Sequence, residues 1–238
     1  MIKMKTTRKI RIENKRLGIV GGLGPETSCS LCLQLNNRIR KLNNCQPDIV
    51  MENVAVPLEI ERKLINGNLC KDMFDLLAKA VIRLNRAEVG FIVIPCNTVH
   101  VFIDDLRKIS KKPIVSIIEE CAKECKRRNI KCVGLLATAT TVNQNLHSKE
   151  LKKIGIKILL PEKQETISKI ILRILDNKAG EKEKKALMKI ISQLKERGAE
   201  VIILGCTDLD ILISENQSSL PIIDTTKVLE NAVVGLLS

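Results

Sequence analysis

An internal repeat constrains the fold of this chain more than any other feature. The segment LGIVGGLGPETS at 17–28 resembles VGLLATATTVNQ at 133–144, and AEVGFIVIPCNTVH at 87–100 resembles AEVIILGCTDLD at 199–210. In each copy a long helical pattern leads into an aliphatic strand that ends in a cysteine. This self-similarity predicts two related units within the 238 residues of the chain.

Short aliphatic runs alternate with amphipathic stretches along the whole chain. Continuous apolar runs bounded by Gly, Pro or polar residues are typical of strands buried on both faces of a parallel sheet. Helical periodicity covers 73–87, 117–129 and 166–179. The alternation predicts an α/β fold with parallel sheets and right-handed crossovers, and the repeat predicts that it contains two units related by duplication. The predicted strands are 16–22, 48–54, 90–96, 114–117, 132–138, 157–161, 200–206 and 221–224.

The domain boundaries follow from the repeat. We predict a first α/β domain over 17–113 plus 221–238 and a second over 114–220. Residues 1–16 carry seven Lys or Arg against one Glu, and we predict that they form a basic, mobile N-terminal tail.

The composition excludes several classes of function. The net charge is +13, but outside the tail Lys alternates with Glu on helix-like segments, and the chain has no Trp or Tyr and only three Phe. Without aromatic stacking platforms, nucleic acid is an unlikely partner. No apolar run approaches the roughly 18 residues of a membrane span. Nine cysteines, an odd number without a tandem metal-ligand pattern, indicate reduced thiols, and we predict a cytoplasmic protein that binds no metal.

The two repeat cysteines suggest an acid/base pair. Cys96 and Cys206 each end a strand and precede a predicted helix start, where the helix dipole lowers a thiol pKa. In parallel sheets the ligand lies beyond the carboxyl ends of the strands. Facing each other across a cleft, one thiolate removes a proton from a carbon while the opposite thiol donates one to the other face. Such a pair inverts a stereocentre.

The motifs GIVGGLGPETS (18–28), IPCNTVH (94–100), GLLATATTV (134–142), LGCTDL (204–209) and PIIDTTKVLENAVV (221–234) resemble those of the cofactor-independent aspartate/glutamate racemases. The resemblance covers most of the chain and implies two pseudo-symmetric parallel-sheet α/β domains with the active site in the cleft between them. It implies that Cys96 and Cys206 are catalytic and that the protein is a homodimer that needs neither PLP nor another cofactor. It also implies that the substrate α-carboxylate is held by Asn97, Thr98, Val99 and Thr207.

The sequence departs from the family pattern where aspartate-specific members grip the substrate side chain with an Arg and a Lys. Those positions fall at Glu59 and Glu165. Two carboxylates there predict a preference for cationic or neutral amino acids over Asp and Glu. In a shifted register, Arg62 and Lys163 restore the cationic grip and the protein is a strict aspartate/glutamate racemase.

Other functions remain open at this stage. A maleate isomerase-like or decarboxylase-like enzyme has the same scaffold, although the decarboxylase type needs only one of the two cysteines. A protein without catalytic activity, whose basic tail binds an acidic partner, is the alternative outside the enzymes.

Overall fold

Two four-stranded parallel sheets with the same strand order form the framework of the computed structural model. The first sheet runs β2-β1-β3-β4 and the second β6-β5-β7-β8. This identity of topology confirms the predicted α/β fold with two similar units, and all eight predicted strands are present. Their bounds are β1 Leu17–Gly21, β2 Ile49–Asn53, β3 Phe91–Val93, β4 Ile114–Val115, β5 Cys132–Ala137, β6 Lys157–Leu159, β7 Val201–Gly205 and β8 Ile222–Asp224.

The structure describes residues 14–238, apart from the side chain of Glu215. Most of the predicted tail therefore lies outside the described residues. Two of its last residues contact the first unit: the Asn14 side-chain amide donates to the carbonyl of Glu88, and Arg16 pairs with Asp48 at 2.7 Å.

Ten helices connect the strands in the described part of the chain. The helical patterns at 73–87, 117–129 and 166–179 correspond to α3, α5 and α8. The bounds are α1 Pro25–Asn43, α2 Leu58–Ile65, α3 Lys71–Arg86, α4 Ile103–Ile109, α5 Ile117–Arg127, α6 Ala139–Asn143, α7 Leu146–Lys153, α8 Gln164–Leu175, α9 Glu181–Glu196 and α10 Thr225–Leu237. Within residues 14–238, no helix has the length and apolar character needed to cross a bilayer.

The two helices that follow the last strand of each sheet begin at side-chain caps. The Ser116 hydroxyl accepts a hydrogen bond from the Glu119 amide at the start of α5. At the start of α10, the Asp224 carboxylate accepts from the amides of Thr226 and Lys227 at 2.7 and 3.1 Å. These caps satisfy amides that have no partner within the helix, so each helix start is fixed directly beyond its strand.

The last helix of each unit packs in part against the core of the other unit, although the strand before it stays in its own sheet. Strand β4 pairs with β3 of the first sheet, yet Cys121 and Cys125 of α5 pack against the core of the second sheet. Conversely, β8 pairs with β7, and Leu229 and Val233 of α10 pack against the core of the first sheet. The predicted boundaries at 114 and 221 therefore fall one strand early, because backbone pairing keeps each strand with its own sheet while its helix crosses to the other.

Candidate active site

Cys96 and Cys206 occupy equivalent places in the two units. Cys96 follows β3 and precedes a 3-10 turn over Thr98–Phe102, while Cys206 follows β7 and precedes one over Thr207–Ile211. Because β3 and β7 have the same position in their sheets, the two thiols are related by the pseudo-symmetry. Both line a single cavity of about 40 Å³ that receives residues from both units. The structure thus brings the two predicted cysteines together.

Six of the eight predicted site residues line this cavity. They are Cys96, Asn97, Thr98, Val99, Cys206 and Thr207. Two acidic residues that the sequence did not predict, Glu61 and Asp208, also line it. The signal for Asp208 was its place two positions after Cys206, where a carboxylate follows the strand-end cysteine.

Burial keeps both thiols protonated in this closed cavity. It raises the pKa of Cys96 to about 11, although hydrogen bonds from the amides of Val99 and Thr98 act in the opposite direction. Burial and the nearby Asp208 carboxylate also raise the pKa of Cys206 well above its usual value. The backbone amides that follow each cysteine do lower the thiol pKa, as expected at a helix start. Desolvation of the thiolate raises the pKa by more, so the net shift is upward.

Asp208 lies beside the Cys206 thiol. The Sγ atom of Cys206 donates to the Oδ2 atom of Asp208 at 3.7 Å. Burial raises the pKa of this carboxyl, and the negative charge of Glu26 contributes in the same direction. Asp208 is therefore the carboxylate within hydrogen-bond reach of the Cys206 proton, which is the geometry that a proton acceptor needs.

The cavity wall is acidic. Burial raises the pKa of Glu61, and the charges of Asp208 and Glu26 raise it further while Arg62 lowers it. Among the described residues that line the cavity, none is Lys, Arg or His. Within residues 14–238, moreover, no three His, Cys, Asp or Glu side chains are grouped to hold a metal ion.

Glu59 and Glu165, the predicted side-chain ligands, lie outside the cavity lining and are exposed. Glu59 pairs with Lys63 at 2.6 Å on the outer face of α2. The helical period explains this position, because Glu61 shares the inner face with residues three and four positions further on, whereas Glu59 points away. The carboxylate of α2 that lines the cavity is therefore Glu61, two residues after Glu59.

The alternative cationic grip does not reach the cavity either. Arg62 forms an ion pair with Asp176 at the end of α8. Lys163 precedes α8 and is exposed. Neither side chain lines the cavity.

Helix α2 closes the cavity from one side. Leu64 and Ile65 line it, and the Thr140 hydroxyl donates to the carbonyl of Leu64. The ion pair between Arg62 and Asp176 adds a second tie from α2 to the second unit. The closed cavity is much smaller than the roughly 300 Å³ at which ligand pockets begin.

Two similar α/β units thus contribute strand-end cysteines to one shared cavity. The sequence profile described as Asp/Glu/Hydantoin racemase matches residues 20–233, and this chain belongs to that family. The predicted family resemblance and the enzyme class are thereby confirmed.

Relatives match over nearly the whole chain. The broad specificity amino-acid racemase RacX of Bacillus subtilis (strain 168) is 26% identical over 225 residues, which cover 92% of this chain and 96% of the relative. A glutamate racemase of Shewanella loihica is 26% identical over 92% of this chain and 78% of its own length. The crystal structure of a candidate Asp/Glu racemase from Yersinia pestis superimposes with a TM-score of 0.82 at 27% identity, covering 94% of this chain and all of that one.

Proposed function

We propose that this protein is a PLP-independent amino-acid racemase that inverts Cα by proton transfer between Cys96 and Cys206. One observation carries the proposal: two cysteines at pseudo-symmetric strand ends line the same cavity. A single cysteine at a strand end is usually a small core residue. Two at equivalent positions in one cavity are arranged for a two-sided reaction.

In the proposed reaction, a thiolate on one face of the substrate removes the α-proton. The Cα–H bond breaks, an S–H bond forms, and the electron pair stays on the carbanion, delocalised into the carboxylate. The opposite thiol then donates its proton to the other face and becomes the thiolate. For the other enantiomer the two roles exchange.

The closed site starts with both thiols protonated, so one proton must leave first. Asp208 is the acceptor for Cys206 because the two side chains are already hydrogen-bonded. The amides of Thr98 and Val99 stabilise the thiolate of Cys96, since their hydrogen bonds favour its charged form. The substrate carboxylate is placed at the backbone of Asn97, Thr98, Val99 and Thr207.

We further propose that the substrate carries a cationic or neutral side chain. The support is the acidic lining of the cavity by Glu61 and Asp208 together with the outward placement of Arg62 and Lys163. A negatively charged side chain would be repelled in this cavity. The Bacillus subtilis relative is named a broad specificity amino-acid racemase, which is consistent with a substrate other than Asp or Glu. The alternative is a strict aspartate/glutamate racemase, as the Shewanella loihica relative is named.

The setting of the enzyme is also part of the proposal. We place it in the cytoplasm as a homodimer that acts on free amino acids without a cofactor. Exposed apolar side chains on α1 and on the edge strand β2 offer a surface for self-association, namely Leu33, Leu42 and Met51. Size-exclusion chromatography with light scattering tests the dimer.

A racemisation screen tests the proposed function. The purified full chain is incubated in deuterium oxide with each L-amino acid, ornithine and homoserine, and also with maleate and an arylmalonate. Chiral chromatography then measures inversion, and NMR measures deuterium at Cα. We expect D-product carrying deuterium, and loss of inversion in both Cys96→Ala and Cys206→Ala. Maleate turnover alone would support the isomerase alternative, and no turnover would support a binding protein.

A near wild-type rate in either cysteine variant would refute the two-base mechanism. Cys121→Ala provides a matched control, since this thiol is buried in α5 away from the cavity. Activity should persist in that variant.

A further inference from the structure

A buried chain of hydrogen bonds joins the two cysteine-bearing segments. We propose that His147, Asn97 and Thr225 are positioning residues that hold these segments, and therefore the two thiols, at a fixed separation. The catalytic meaning of this chain rests on the proposed racemase function.

This chain of hydrogen bonds has three links. The Nε2 atom of His147 lies 3.0 Å from the Oδ1 atom of Asn97. The Nδ2 atom of Asn97 donates to the Oγ1 atom of Thr225 at 2.9 Å, and this hydroxyl donates to the carbonyl of Leu204 at 2.9 Å. Asn97 directly follows Cys96, and Leu204 lies two residues before Cys206. The links therefore run from one catalytic segment to the other.

Each link has a fixed direction. Because the Asn97 amide nitrogen donates to Thr225, its oxygen faces His147, and the Nε2 atom of His147 must carry the proton. Burial lowers the pKa of His147 to about 3, so the ring is neutral at physiological pH. Its Nδ1 atom is buried without a hydrogen-bond partner in the part of the chain that the structure describes. The ring is thus held by its single bond to Asn97 and by packing.

Burial makes this chain of hydrogen bonds rigid. His147, Asn97 and Thr225 are each at most 1% exposed. A buried polar group that loses its hydrogen-bond partner is destabilised, because no water replaces the partner. The side chains of His147, Asn97 and Thr225 and the carbonyl of Leu204 therefore constrain one another. The Asn97 side chain is consequently occupied within the protein, and its backbone is left for the substrate.

A two-base reaction depends on the separation of the two thiols more than a single proton transfer does. If one thiol moves away, the other still removes the α-proton, but delivery to the opposite face slows and the proton returns to the original face. Exchange of the α-hydrogen with solvent then continues while inversion falls. A general loss of folded protein would lower both by the same factor.

The first test compares Thr225→Val with Thr225→Ser, using the amino acid that the wild type racemises fastest. Valine keeps the shape of threonine without the hydroxyl, and serine keeps the hydroxyl. In Thr225→Val we expect the ratio of exchange to inversion to rise roughly tenfold, the scale of one lost buried hydrogen bond. Thr225→Ser should stay near the wild-type ratio. The control is Thr226→Val, because the neighbouring Thr226 hydroxyl has no hydrogen-bond partner within residues 14–238.

A second pair of variants tests the other end of the chain. His147→Leu removes the donor to Asn97, and His147→Gln presents an amide nitrogen near the position of Nε2. We expect the ratio to rise in the leucine variant and to be restored, at least in part, by glutamine. Equal ratios in wild type, Thr225→Val and His147→Leu would overturn the proposal.

A thiol-labelling measurement tests the same link without any turnover. Iodoacetamide alkylation of each cysteine is followed by mass spectrometry in wild type, Thr225→Val and Thr225→Ser. Local opening should increase labelling of Cys96 and Cys206 roughly tenfold in the valine variant, while Cys121 and Cys125, buried in α5, report that the fold is intact. Unchanged labelling of both site cysteines would overturn the link. If the wild type racemises no amino acid but Thr225→Val still shows the increased labelling, the proposed function is refuted and the structural role of the hydrogen-bond chain is supported.

Discussion

The Asp208 carboxylate accepts a hydrogen bond from the thiol of Cys206 across 3.7 Å at the edge of the shared cavity. This contact pairs a thiol whose pKa is raised with a carboxyl whose pKa is also raised. Because both pKa values shift in the same direction, it is the hydrogen bond and not a matched acid strength that makes Asp208 the acceptor for the Cys206 proton.

Replacing Asp208 with Asn should slow racemisation by about 10² to 10⁴-fold, the usual contribution of a positioned acid or base. Because the equilibrium constant between enantiomers is one, kcat/KM must fall equally for the L- and D-substrates. Polarimetric progress curves from both enantiomers measure this. Asp210→Asn is the control, since Asp210 is exposed on the same turn and does not line the cavity. An unaltered rate in Asp208→Asn would exclude this carboxylate as the acceptor.

Replacing Glu61 with Gln should reduce the preference for a cationic over an anionic substrate. A unit-charge pair about 4 Å apart is worth about 4 kcal/mol at an effective dielectric of 20, before desolvation is subtracted. We therefore expect the ratio of kcat/KM for lysine to that for aspartate to fall about tenfold to a hundredfold. Glu59→Gln is the matched control one helical face away. If aspartate is preferred in wild type and Glu61→Gln leaves that preference unchanged, the strict aspartate/glutamate alternative holds.

The rate should increase with pH above neutrality. Since burial raises the pKa of Cys96 to about 11, its thiolate fraction in the free enzyme increases about tenfold for each pH unit between 7 and 9. Burial lowers the pKa of His100 to about 4 and of His147 to about 3, so neither ring changes charge in this range. A profile of kcat/KM from pH 6 to 10 measures the effect. A rate that declines from pH 7 upward would contradict the protonated resting state.

Replacing Arg38 with Met should destabilise the contact between α1 and α10. Arg38 pairs at 2.6 Å with Glu230, whose side chain is only 4% exposed. Removing one partner leaves a buried charge that Lys227 compensates in part, so we expect a loss of about 1 to 3 kcal/mol in the free energy of unfolding. Urea denaturation measures it. Lys108→Met breaks an exposed pair with Asp105 and should change stability by less than about 1 kcal/mol.

The sequence predicted the strands and the cysteine pair because both depend on local pattern. Aliphatic runs buried on two faces mark each strand, and the repeat places Cys96 and Cys206 at matching strand ends. Helices α5 and α10, which follow β4 and β8, pack against the other unit. No local sequence pattern encodes which sheet a strand joins or which core its helix contacts.

The errors at the site have the same origin. A shift of two positions on α2 turns a side chain from the cavity to solvent, and this separates Glu59 from Glu61. The thiol pKa depends on the burial of the whole cavity, which reverses the direction expected from the helix start alone. The side chain of Asn97 is occupied by His147 and Thr225, residues 50 and 128 positions away in sequence.

The crossing of α5 and α10 gives this chain the geometry of a domain-swapped dimer fused into one polypeptide. A single copy of the repeat, cut after its last helix, would lack the helix that the other copy packs onto its core, and it would need a twin to supply that helix. Joining the copies makes that exchange intramolecular, so it no longer depends on protein concentration. The same covalent joining frees the two cysteine segments to diverge, and an active site for a chiral substrate no longer has to be built from two identical halves.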